Sequence, residues 1–280
     1  MSLFKNQLAS LHVKSPLIMG ILNVTPDSFF DGNRFNTLDK ALTQARSLVA
    51  SGADILDIGG ESTKPYAAPV SLDEELSRVI PVIERVTQEI DVTISIDTYK
   101  PEVMQAAVQA GAQMINDVKA LQAPGALSQA AKLNVPVCLM HMQGTPQSMQ
   151  NKPTYQDTVD DVMQFFEERI AACIAEGMSK ENMILDPGFG FGKTLEDNYK
   201  LLAHLKRFKQ FNLPMLVGVS NKSMIGDVLD KPSDQRLIGT VTASLMAYQQ
   251  GADIIRVHDV GSMRDSILIM QVYNKFEREL

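Results

Sequence analysis

The segment GADILDIGG (52–60) returns in altered form as GAQMINDV (111–118) and again as GADIIRVHDV (251–260). Each opens on a glycine suited to ending a helix, runs through a short hydrophobic stretch and closes on polar residues. That is the plan of a buried parallel strand carrying a polar tip. Outward from these three copies the same alternation fills the chain. Apolar, often β-branched runs predict eight strands at Leu17–Leu22, Ile55–Ile58, Thr93–Ile96, Met114–Ile115, Val135–Leu139, Met183–Leu185, Met215–Val217 and Ile254–Val257. Helical patterns lie between them at Leu38–Ser51, Leu72–Glu89, Pro101–Ala110, Ala126–Leu133, Thr158–Glu176, Leu195–Phe208, Gln235–Gln250 and Ser262–Phe276. Gly52, Gly111, Gly177 and Gly251 supply stop signals and Pro101 a start. With no linker-like or low-complexity break, the reading is one α/β domain over residues 1–280. A single (β/α)8 TIM barrel is favoured over a doubly wound open sheet.

Composition narrows the function. With 45% hydrophobic and 21% charged residues in 280, the chain can bury a large core, which excludes disorder and a disulfide-stapled miniprotein. Its 26 basic and 33 acidic residues give a net charge of −7, unsuited to nucleic acid or an anionic membrane but compatible with a local basic pocket for a phosphorylated small molecule. Cys138 and Cys173 lie in apolar segments outside any CxxC, as expected of reduced core thiols. No run reaches the roughly 20 apolar residues of a membrane span and the N-terminal stretch lacks a signal-like apolar core, so a cytoplasmic protein is expected.

In a barrel the chemistry belongs at the C-terminal ends of the strands. The residues there are Asn23, Asp57 with Glu61–Lys64, Asp97, Asn116 with Asp117, Met140 with His141, Asp186, Ser220–Lys222, and Arg256 with His258. Carboxylates and amides at Asp97, Asn116 and Asp186 on one arc suit a flat heterocycle bearing N–H donors. Cations at Lys222, Arg256 and His258 on another suit a phosphate or pyrophosphate. A general base and a structural histidine are the other roles open to His258. The glycine-rich DPGFGFGKT (186–194) is not a Walker A loop, because Gly188 and Gly192 enclose three residues where that motif needs four. It reads as a strand-to-helix turn that brings backbone close to a ligand. Two loops, NVTPDSFFDGNRFN (23–36) and GGESTKPYAAPVS (59–71), are rich in Gly and Pro and are expected to be long and mobile after strands 1 and 2, the first, with its aromatics, either tucked into the core or closing as a lid over a substrate.

NVTPDSFFDG, DIGGESTKP, SIDT, IND, LMHMQGTP, DPGFGFGK, VGVSNKSMIG and RVHDV, in this order from about Pro16 to Val260, resemble the dihydropteroate synthase family. The resemblance implies a transferase of folate biosynthesis that joins 4-aminobenzoate to 6-hydroxymethyl-7,8-dihydropterin pyrophosphate and is a sulfonamide target. Carried across by position, it implies pterin contacts at Asp97, Asn116, Asp186 and Lys222, with Met140 and Phe191 as pocket walls. Asn23, Arg256 and His258 match the pyrophosphate and Mg2+ region, with Asn23 the metal contact. Phe29, Thr63, Lys64 and Pro65 match the aminobenzoate pocket, and Asp31 lies in the first loop. A homodimer through the last helices is also implied. The family more often has arginine at positions 64 and 221, where this chain has Lys64 and Asn221. Lysine keeps the charge but loses the planar fork that grips a carboxylate twice. The alternatives are a pterin-binding methyltransferase barrel and a non-catalytic pterin-binding paralogue.

Overall fold

The computed structural model describes residues 15–25, 34–62, 67–144 and 153–277. The strands are β1 (Leu17–Asn23), β2 (Ile55–Gly59), β3 (Thr93–Asp97), β4 (Met114–Asp117), β5 (Val137–Met140), β6 (Met183–Asp186), β7 (Leu216–Val217) and β8 (Ile254–Val257). Alternating with them are α1 (Arg34–Ala50), α2 (Leu72–Glu89), α3 (Pro101–Ala110), α4 (Ala126–Leu133), α5 (Thr158–Ala175), α6 (Leu195–Ala203), α7 (Ser223–Leu229), α8 (Leu237–Gln249) and α9 (Val260–Glu277).

The eight strands pair in parallel in the order β6-β5-β4-β3-β2-β1-β8-β7. The ring closes where Leu185 bridges Met215 and its N–H donates to the Pro214 carbonyl at 2.9 Å. This settles the choice between barrel and open sheet in favour of the barrel.

Period two along each strand sorts the side chains. Met19, Ile55, Met114, Cys138, Ile184, Leu216 and Ile254 fill the barrel interior as one cluster. The alternate residues, among them Ile18, Leu56, Ile94, Ile115 and Leu185, join Val79, Ile83, Val103, Phe166 and Ile267 of the helices in the larger outer core. Both cysteines are buried and free, as expected. Gly111 closes α3 at φ +121°, and Gly52, Gly177 and Gly251 turn the chain at other helix ends in the same region.

Most predicted strands end one or two residues too early. The ladder continues through the polar tip, with Asn23 paired to Gly59, Gly59 to Asp97, Asp97 to Asn116 and Met140 to Asp186. The single helix expected at 195–208 is instead α6 followed by a 3-10 turn over Leu205–Phe211. Three residues per turn put Leu205, Phe208 and Phe211 on one face, and Phe208 and Phe211 meet the Phe166 ring at 5.9 and 6.2 Å. The helix expected from Gln235 begins at Leu237, after a 3-10 turn at Ser233–Gln235. Short α7, which carries Gly226 in its interior, has no counterpart among the predicted helices. Among the described residues no helix is long and apolar enough to cross a membrane.

Candidate active site

Two residues beyond the apolar interior layer, the same inward face of the strands becomes charged. Asp57, Asp97, Asn116 and Asp186 are buried here, and the Arg256 side chain is 20% exposed. Arg256 Nε donates to Asp57 Oδ2 at 2.6 Å and its Nη2 to Asp97 Oδ2 at 2.8 Å. Asn116 Nδ2 donates to the same Asp57 oxygen at 3.0 Å. Gly59 leaves the floor open: a Cβ there would stand 3.4 Å from Asp97 Cβ and 3.7 Å from both Asn23 Oδ1 and Asp97 Oδ2. Asn23, Asp97 and the tip of β2 therefore share one corner.

The second half of the mouth is the turn after β6. Asp186 Oδ1 accepts from the Gly188 N–H at 2.8 Å, and Lys222 Nζ donates to the Phe189 carbonyl at 2.5 Å. The same ammonium stands 4.6 Å from the centroid of the Phe191 ring, a cation–π arrangement. Gly188 lies at φ +70°, and a Cβ on it would come within 1.8 Å of the His141 carbonyl oxygen and 3.3 Å of Met140 Cγ. Only glycine permits that packing.

Burial sets the charges. Desolvation and the neighbouring Asp57 carboxylate push Asp97 well above the usual carboxylate range despite Arg256. Asp186 is raised by burial, against the pull of Lys222. Lys222 is lowered to about 8, chiefly by burial and secondarily by Arg256, with Asp186 opposing. Arg256 is held above its ordinary range, the attraction of Asp57 and Asp97 outweighing its own desolvation. Such a mouth offers acceptors poised for N–H donors and cations poised for an anion.

The structure brings together nine of the residues singled out in the sequence: Asn23, Asp97, Asn116, Met140, Asp186, Phe191, Lys222, Arg256 and His258 all lie at the strand tips or the turns that follow them. Phe29, Asp31, Thr63, Lys64 and Pro65 lie outside the described residues. By strand the two arcs hold, with Asp97, Asn116 and Asp186 on β3, β4 and β6 and the cations on β8 and in the turns after β7 and β8, but the long Arg256 side chain reaches across to Asp57 and Asp97. His258 is exposed and its Nδ1 lies 2.9 Å from Ser220 Oγ. His141, which the sequence placed on the rim, is buried beneath it. Lys193 was missed. It is 4% exposed and bonded to His141, although its place in a glycine-rich segment was visible.

A parallel eight-stranded barrel with buried carboxylates, an amide and cations gathered at the C-terminal ends of its strands has the form of an enzyme site for a polar small molecule. Residues 19–258 match the pterin binding enzyme family. The dihydropteroate synthase of Escherichia coli (strain K12) is 51% identical over 265 residues, covering 95% of this chain and 94% of that protein. Among solved structures, Yersinia pestis dihydropteroate synthase in a sulfonamide drug complex superposes with a TM-score of 0.89 at 52% identity, covering 93% of this chain and 95% of that one. Xanthomonas albilineans dihydropteroate synthase in complex with 7,8-dihydropteroate gives 0.85 at 47% identity, covering 93% and 94%. This chain belongs to the dihydropteroate synthase family of pterin-binding enzymes. It is accordingly a transferase of folate biosynthesis, and the methyltransferase and non-catalytic alternatives are not favoured.

Proposed function

We propose that the mouth binds 6-hydroxymethyl-7,8-dihydropterin pyrophosphate and 4-aminobenzoate and joins them into 7,8-dihydropteroate with release of pyrophosphate. The observation that carries this is the single buried assembly in which Asp57, Asp97 and Asn116 gather around Arg256 while Asp186 and Lys222 flank the Phe191 turn. Asp97, Asn116 and Asp186 accept from the pterin's N–H groups, Lys222 donates to its ring, and Met140 and Phe191 form walls. Arg256 and His258 face the pyrophosphate. Phe29, Thr63, Lys64 and Pro65 form the aminobenzoate pocket by resemblance alone.

An aryl amine is already unprotonated near neutral pH, so no strong base is needed to create the nucleophile. Its nitrogen lone pair forms the bond to the pterin methylene carbon, while the carbon–oxygen bond to pyrophosphate breaks with its electrons leaving on oxygen; the amine then sheds one proton. Bond breaking runs ahead of bond making, a dissociative substitution. Carboxylates around the pterin favour the positive charge developing at the methylene, and Arg256 and His258 stabilise the leaving group.

Asn23 offers a hard amide oxygen at the mouth, close to Gly59 and Asp97, of the kind Mg2+ prefers. Asn23 would hold the ion, which when bound supplies positive charge to the pyrophosphate oxygens.

The protein acts as a single-domain barrel over residues 1–280 and as a homodimer, through the exposed apolar faces of α8 and α9. Its two free thiols suit the cytoplasm. Sulfonamides are expected to compete with the amine. Incubation with the pterin pyrophosphate, Mg2+ and 4-aminobenzoate tests the reaction: pyrophosphate and 7,8-dihydropteroate are expected only when both substrates and the divalent ion are present. Equal pyrophosphate release without the amine would overturn it.

A further inference from the structure

Lys193 is one of the most buried cations in the molecule and takes no part in the chemistry above. Its ammonium reaches three acceptors at once: His141 Nδ1 at 2.9 Å, the Gly188 carbonyl at 2.8 Å and the Phe191 carbonyl at 3.1 Å, with the His141 carbonyl farther off at 3.4 Å. Three N–H donors meet three near acceptors, so the group is satisfied without water. The His141 ring is itself fixed edge-on against Phe165, with centroids 4.9 Å apart.

What the ammonium holds is the turn that builds half of the mouth. Between the two carbonyls it grips lie Phe189, whose carbonyl accepts from Lys222, and Gly190, whose N–H donates to Asn198 Oδ1 at 2.7 Å. At one end Gly188 anchors the Asp186 carboxylate, and at the other the Phe191 ring lies beneath the Lys222 ammonium. The loop after β5 is pressed against the same turn, since a Cβ on Gly192 would meet the Gln143 carbonyl at 2.4 Å and Tyr155 Oη donates to the Gly192 carbonyl at 2.6 Å.

We propose that Lys193 is a positioning residue for the pterin site: by clamping the Gly188 and Phe191 carbonyls to His141 it sets the turn on which Asp186, Phe191 and Lys222 are aligned. The proposal rests on the reading of the mouth as a pterin pocket. Burial pulls the Lys193 ammonium down to about 7 and holds His141 well below the usual imidazole range. The clamp survives loss of the proton. A neutral amine still donates to both carbonyls and accepts from His141 once that ring carries its proton on Nδ1.

The test is calorimetric titration with 6-hydroxymethyl-7,8-dihydropterin pyrophosphate, beside thermal melts. Lys193→Met, which keeps the volume and removes every donor, is expected to weaken binding about tenfold or more, the equivalent of one lost hydrogen bond to a charged group. Tyr155→Phe removes the bond to the Gly192 carbonyl between the same two loops but keeps the ring that lies 6.1 Å from His141, and its affinity is expected to stay within about twofold even where its melting temperature falls as far as that of Lys193→Met. In a Lys222→Ala background, Lys193→Met is expected to cost less than about threefold further, because the two act through one another. Should Lys193→Met fail to fold, Lys193→Gln keeps donors for the carbonyls and is expected to fold with an intermediate loss. Affinity unchanged in a folded Lys193 variant, or full additivity with Lys222→Ala, would show that the lysine only stabilises the fold. No binding by the wild-type protein would overturn the reading of the mouth and this inference with it, whereas equal affinities of wild type and variant overturn the inference alone.

Discussion

Asp97 is 8% exposed and shares the Arg256 guanidinium with Asp57, so two carboxylates compete for one cation out of reach of water. Its carboxyl is pushed from the ordinary 3.8 up to about 7, first by burial and next by Asp57. Between those values the folded protein holds a proton that the unfolded chain has released, so stability is fully present below about pH 4 and declines as pH rises to 7. Asp97→Asn removes that titration. Denaturant unfolding at a series of pH values should therefore show the wild type losing ground against the variant between pH 4 and 7, by up to about 1.4 kcal/mol per pH unit; parallel curves would show that Asp97 is ionised throughout. Asp186 and Lys222 carry a different expectation. Each offers one charged partner to the ligand from a largely closed site, a bond worth roughly 1.5–3 kcal/mol. Asp186→Ala and Lys222→Ala should each lower pterin affinity by about one to two decades, read by calorimetric titration. Near-native affinity in both would remove them from the pocket. These two residues were legible in the sequence because each follows an apolar run at a strand end. The bond between Arg256 and Asp57 was not, since it joins residues 199 apart and exists only once β8 and β2 flank β1 in a closed ring. Lys193 escaped notice because a lysine after a glycine-rich turn has the composition of a solvated loop.

At the scale of elements, the turn from β6 to α6 depends on backbone shape more than on any side chain. Gly188 combines φ +70° with a Cβ position 1.8 Å from the His141 oxygen, whereas Gly177 combines φ +90° with open space. Both would strain a side-chain-bearing residue, at about 1–2 kcal/mol, but only Gly188 adds a collision with main chain. Gly177→Ala should therefore lower stability by about 1 kcal/mol and leave pterin binding alone, while Gly188→Ala should lower stability further and abolish binding. Urea midpoints with parallel titrations measure both, and equal losses in the two variants would mean that the β5 loop yields freely. The same contrast explains which elements the sequence revealed. Strands were found by their apolar runs, but their last residues, Asn23, Asp97, Asp117 and Asp186, are polar and looked like loop while still pairing in the ladder. The 3-10 turn at Leu205–Phe211 hid inside a helical pattern because spacings of three satisfy both geometries. Gly226 masks α7, a glycine that makes room for the Arg236 guanidinium, which would lie 2.1 Å from a Cβ there.

For the whole molecule, the barrel confines chemistry to one end and leaves its flank available for association. Met263 and Ile267 of α9 are buried against the barrel, yet Leu268, Ile269, Val272, Tyr273 and Phe276 of the same helix are exposed, Ile269 at 73%. Their spacing of i, i+1, i+4, i+5 and i+8 makes a second apolar stripe along the outer face. Ile238, 75% exposed, and Met246 add to the exposed apolar surface on α8, which contacts α9. Scattered exposed aliphatics are ordinary, but a continuous stripe along the C-terminal half of a helix is what the proposed dimer interface would need. Two copies related by a twofold axis would each cover the other's stripe, so a single acidic substitution enters the contact twice. Ile269→Asp is therefore expected to convert a dimer into a monomer, read by sedimentation equilibrium, and to remove the rise of melting temperature with protein concentration that a dimer shows. Ile269 belongs to the outer wall and none of the mouth residues lies on α8 or α9, so kcat per chain should stay within about twofold of the parent. A wild-type protein that sediments as a monomer at micromolar concentration would overturn the dimer. A dimer that survives Ile269→Asp with its concentration dependence intact would move the interface to another face of the barrel.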